Sequence, residues 1–95
     1  MVATEILKFS KRFYDRLDPS LIEGAMDYIK HGEDNLAFEI LCDHLFEHEI
    51  AISRREYEEA VELIFKLSVD INLPPFKYLR ELRANEEDSL PPSVP

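Results

Sequence analysis

His44-Leu45-Phe46-Glu47-His48 is the stretch with the most evident chemistry. It matches H-x-x-E-H, a zinc-protease pattern in which two histidines on adjacent helical turns bind metal and the glutamate activates water. On a helix His44 and His48 lie one above the other, so the spacing is chemically sensible. A working catalytic site also needs a third protein ligand and a substrate cleft, and a chain of 95 residues has little room for both. Both histidines are therefore read as a half-buried polar rim, with no catalytic residue, metal or cofactor expected. Cys42 lies nearby on an apolar flank, where a free thiol is more often a small buried hydrophobe than a nucleophile. A phosphate-cradling loop is excluded, because Gly24 and Gly32 are the chain's only glycines.

The remaining candidates are carboxylates. Glu39, Asp43 and Glu47 recur every fourth residue and so form one stripe along a helix from Gly32 to Ile50. They lie on one face rather than across a cleft, which does not suit acid/base catalysis. Neighbours of like charge cost a few tenths of a kcal/mol per pair in an isolated helix. Either the chain's own bases compensate them, with Lys8, Lys11, Arg12 and Arg16 of the first helix the nearest supply, or the stripe meets a partner. Glu33 and Asp34 extend it at the start of the helix, where negative charge suits the dipole. Glu58, Glu59 and Glu62 stand ready to widen it from another helix.

The elements that position these groups follow from apolar spacing. Leu36, Ala37, Ile40, Leu41 and Leu45, with Phe38, Cys42 and Phe46 on a second flank, cover well over half of the helix at about 100° per residue. Such a helix needs neighbours on several sides and belongs in the middle of a bundle. Ile6, Phe9, Phe13 and Leu17 predict an amphipathic first helix over Thr4 to Leu17. Asp18-Pro19 stops it and starts a second, Asp18 as cap and Pro19 at the first helical position. This second helix buries Leu21, Ile22, Ala25, Met26 and Ile29; Gly24 within it suggests a close helix approach, and Gly32 ends it in a left-handed conformation. Ile50-Ala51-Ile52 reads as an extended corner. Ser53-Arg54-Arg55-Glu56 fits a capping box for a helix to Leu67 with Ala60, Val61, Ile64 and Leu67 inward. After Leu73-Pro74-Pro75, Phe76 to Arg83 predicts a short last helix. The expected fold is all-α: an antiparallel bundle of four to five helices over 1–83, with 84–95 a Pro-rich acidic tail expected to be disordered.

Composition bounds the partners. An apolar share of 45% is ordinary for a folded chain, so most of the protein should fold as one small domain. The net charge is −9, and the tail contains three acidic and no basic residues, which leaves −6 on the helical part. Nucleic acid and anionic membranes reward clustered Lys and Arg and are poor partners; a basic protein is a good one. The N-terminus is neither signal peptide nor span, no apolar run approaches the ~20 residues that a spanning helix needs, and the single Cys42 suits a reducing compartment. A cytoplasmic location is expected.

Asp27-Tyr28-Ile29-Lys30-His31-Gly32-Glu33, then Leu36-Ala37-Phe38-Glu39-Ile40-Leu41-Cys42-Asp43, then Ile52-Ser53 leading to Glu56-Tyr57, resembles the MafI family of bacterial immunity proteins. The similarity runs from about Leu17 to Leu67 and is densest in GE-x-x-LAFEILCD. The resemblance implies an antidote that binds the C-terminal effector domain of a polymorphic or contact-delivered toxin, often a nuclease, rather than an enzyme. It transfers no functional residue, so Glu39, Asp43, Glu47, Glu33 and Asp34 are expected as the partner-binding set on charge and exposure alone. The competing expectation is a small helical adaptor, or a homodimer hiding Phe38, Cys42 and Phe46 in a self-interface.

Overall fold

The computed structural model describes residues 1–83, and the expected tail lies outside them. Within that range the chain forms five α-helices and no strand: α1 (Val2–Lys11), α2 (Pro19–Asp27), α3 (Asp34–Glu47), α4 (Arg54–Leu67) and α5 (Leu79–Leu82). Short 3-10 turns, Tyr28–His31 and Phe76–Tyr78, precede α3 and α5. The all-α bundle predicted from apolar spacing is the observed architecture.

α3 is its axis. Ala37, Phe38, Leu41, Cys42 and Leu45 are fully buried, and the helix packs against α1, α2, α5 and both 3-10 turns. Phe38 sits at the junction: its ring stacks on Phe76 at 5.8 Å and tilts against Phe9 at 6.1 Å, while Phe9 meets Phe13 edge-on at 5.1 Å. Such pairs contribute about 0.5–1.5 kcal/mol each beyond the area they bury. Further along, Phe46 stacks on Tyr78 at 4.3 Å and pins the last turn of α3 to the C-terminal segment. Phe38 and Cys42 therefore have no exposed surface to offer a second copy, and Phe46 is already half covered. The self-interface expected of those three side chains is not available.

α1 is shorter than predicted. Its helix stops at Lys11, and the chain continues in tight turns, with Arg12 N–H donating to the Phe9 carbonyl and Phe13 N–H to the Ser10 carbonyl. Arg16 braces these turns: its Nη2 donates to the Arg12 carbonyl at 2.7 Å and its guanidinium lies 4.6 Å over the Phe13 ring. Phe13 and Leu17 nevertheless stay in the core, since a run of turns advances them onto the same side. The α2 start forms as expected, the Asp18 carboxylate accepting from the Ser20 N–H at 2.9 Å with Pro19 in the first turn. Gly24 does not serve a close helix approach: a Cβ there would meet nothing within 4 Å.

One device closes three elements. Before α3, Gly32 is left-handed (φ 73°), Glu33 N–H donates to the Tyr28 carbonyl and Gly32 N–H to the Ile29 carbonyl. The end of α3 repeats this at Glu49 (φ 51°), with Ile50 N–H to Leu45 and Glu49 N–H to Phe46. The end of α4 repeats it at Ser68 (φ 59°), with Val69 N–H to Ile64 and Ser68 N–H to Phe65. These are Schellman caps, and two of the three lack the glycine that such a cap favours. Between α3 and α4 the corner at Ile50–Ser53 is non-helical as expected, held by Ile52 N–H donating to the Leu82 carbonyl at 3.3 Å. The capping box of α4 forms in full: Glu56 N–H donates to Ser53 Oγ at 3.0 Å, and Ser53 N–H to Glu56 Oε1 at 2.9 Å. Among the described residues no helix is long and apolar enough to cross a membrane.

Candidate functional site

Burial of α3 on its other sides leaves Glu39, Asp43 and Glu47 as the exposed residues of its middle and end. Glu33 is exposed just before the helix, and Asp34, its first residue, is half-buried. The five residues predicted as a partner-binding set thus share one helix and its entry. Among the described residues, Glu33, Asp34, Glu39 and Asp43 take part in no ion pair. Glu47 approaches His44 Nδ1 at 3.5 Å, but the two are not aligned for a hydrogen bond.

Of the four bases expected as the nearest supply to neutralise this stripe, Arg12 and Arg16 are engaged elsewhere, while Lys8 and Lys11 are exposed and take part in no ion pair among the described residues. Arg12 pairs with Glu59 at 2.6 Å, and Arg16 grips Glu56 through both terminal guanidinium nitrogens at 3.0 and 2.7 Å, so the turns after α1 are clamped to α4. Lys66 of α4 returns the bond to Glu5 of α1 at 2.6 Å. Burial works against the Glu56 carboxylate, yet the Arg16 guanidinium, the Ser53 N–H and the charge of Arg12 outweigh it and hold its pKa below the ordinary carboxylate range. Arg16 is raised in turn, chiefly by its hydrogen bond to Glu56. Of the α4 carboxylates expected to widen the acidic face, Glu59 is consumed by Arg12, whereas Glu58 and Glu62 remain exposed.

Two acidic residues join the face that spacing alone did not single out. Beyond the last turn of α3 an open cleft of about 560 Å³ is lined by Phe46, Glu47, Glu49, Ala51, Glu81 and Leu82. Three carboxylates and the negative end of the α3 dipole converge there, beside apolar walls. Glu81 lies 34 positions beyond Glu47 in the chain, and no local pattern signals the meeting; the Phe46–Tyr78 stack brings it about.

Cys42 lies directly behind the stripe. Burial pushes its thiol well above the ordinary value, and the charges of Glu39 and Asp43 add to the effect. The thiolate is suppressed, which fits the small buried hydrophobe expected there. His44 is partly buried and His48 exposed, so the polar rim expected of the H-x-x-E-H stretch extends further into solvent at its C-terminal end. Compared with known protein families, curated proteins and solved structures, the chain matches none.

Proposed function

We propose that this protein is an immunity protein, one that binds the C-terminal effector domain of a bacterial toxin in the cytoplasm and neutralises it without catalysis. The observation that carries the proposal is a division of charge. Arg12 and Arg16, in the turns after α1, are committed to α4, while among the described residues Glu39 and Asp43 project from the central helix with no ion-pair partner. A carboxylate left uncompensated on a rigid, mostly buried helix is well placed for a foreign cation, because the backbone is already ordered and only the side chain remains to be fixed on binding. Glu33, Asp34 and Glu47 extend the face along the helix, and the cleft formed with Glu49 and Glu81 suits a Lys or Arg side chain of the partner. A nuclease presents a basic surface to its substrate, and an acidic domain of this kind would occupy or crowd that surface. The resemblance of GE-x-x-LAFEILCD to the MafI immunity proteins supports the same assignment.

The test is co-expression with the toxic C-terminal fragment of the large secreted protein expected to be encoded immediately upstream. The parent chain should protect the cell and co-purify with the fragment. Glu39→Lys combined with Asp43→Lys should fold normally, since both side chains are exposed, yet lose protection. Equal protection by the double variant would place the contact surface elsewhere.

A further inference from the structure

We propose that His44, Glu47 and His48 form a surface site for one borderline divalent transition-metal ion, zinc above all. The three residues offer one donor atom each, and these atoms all lie within 4.8 Å of one another. His44 and His48 stand one helical turn apart with ring centroids 6.4 Å from each other, and Glu47, three positions after His44, brings its carboxylate to 3.5 Å from His44 Nδ1. Donors bound to a tetrahedral zinc at about 2.0–2.1 Å lie roughly 3.4 Å apart. Glu47 and His48 are both exposed, so their side chains have room to turn toward His44.

A second observation points to a ligand at the same place. His44 Nδ1 is shielded from solvent, makes no hydrogen bond, and has only the misaligned Glu47 carboxylate nearby at 3.5 Å. An unsatisfied imidazole nitrogen carries a desolvation cost that a metal held between it and Glu47 would relieve. Two imidazoles and one carboxylate favour zinc, nickel or copper over magnesium and calcium, which prefer all-oxygen shells. Three protein ligands leave a fourth position open for water or for a partner's side chain. No hydrolytic activity is implied. The site does not depend on the docking role, although a bound dication would more than offset the charge of Glu47 and leave one end of the acidic face locally positive.

The experiment is calorimetric titration of the purified, metal-stripped chain with zinc alone, and separately with magnesium. The expected result is saturable zinc binding at one ion per chain, a zinc-dependent rise in melting temperature, and neither effect with magnesium. His48→Ala, an exposed and fold-neutral change, should weaken zinc binding at least about tenfold, as losses even in the outer shell of a metal site do. His31→Ala, the remaining histidine, which lies before α3 and faces Asp27 at 3.8 Å, should change nothing. Absence of zinc binding, or equal binding by the parent and His48→Ala, would overturn the proposal. No toxin enters the measurement, so its failure would leave the immunity assignment untouched.

Discussion

At the scale of single residues, Glu56 is the one charged side chain buried among the described residues. It closes the capping box of α4 and receives both nitrogens of Arg16, which lies 40 positions earlier. Its carboxylate is largely buried while Arg16 is about a third exposed, so solvent screens part of the pair. Glu56→Gln should therefore cost about 1–2 kcal/mol at neutral pH, toward the lower end of what a charge-assisted buried bond is worth. The sign of the pH dependence follows from the depressed folded pKa. The unfolded chain takes up this proton first as pH falls, so the stabilisation is complete above the ordinary carboxylate range and is lost as pH drops through the lower folded value. Chemical denaturation of parent and variant across that range should show the gap narrowing toward acid; a constant gap would mean that the pair contributes through packing alone. The capping box was legible from Ser53-x-x-Glu56. The Arg16 clamp was not, because no local periodicity links residues so distant in sequence.

At the scale of elements, the three Schellman caps separate what spacing reveals from what it hides. Gly32 announces its own left-handed conformation, whereas Glu49 and Ser68 adopt it without the residue type that signals it. A side chain in that region is strained by about 1–2 kcal/mol, partly offset on replacement by the greater unfolded-state freedom of glycine. Ser68→Gly and Glu49→Gly should each stabilise the bundle by about 0.5–1 kcal/mol, read as a rise of several degrees in melting temperature. A fall at either site would show that the native side chain makes a compensating contact. The same contrast holds for α1. Its apolar residues correctly marked Phe13 and Leu17 as core, but the helix ends at Lys11 and the chain goes on in turns that Arg16 braces through the Arg12 carbonyl. For α3 the breadth of the apolar arc was enough to place it at the centre and leave one acidic stripe outside. The cleft beside Glu49 and Glu81 depends on tertiary stacking of Phe46 on Tyr78 and had no counterpart in the sequence pattern.

At the scale of the whole molecule, ion pairs tie α4 to α1 and to the turns after it, while among the described residues Glu33, Asp34, Glu39 and Asp43 take part in none and three further carboxylates line the cleft at the end of α3. An interface built this way should be recognised by its kinetics, since fixed complementary charge mainly accelerates encounter and is screened by salt over about 8–10 Å. The measurement that tests the account most directly is the association rate of the parent and the Glu39→Lys/Asp43→Lys variant with the toxic fragment, followed from low to high ionic strength. The parent rate should fall steadily with salt, while the variant should associate at least about tenfold more slowly at low salt and converge on the parent at high salt. A parent rate indifferent to salt, or a variant that binds as fast as the parent throughout, would contradict docking through the acidic face.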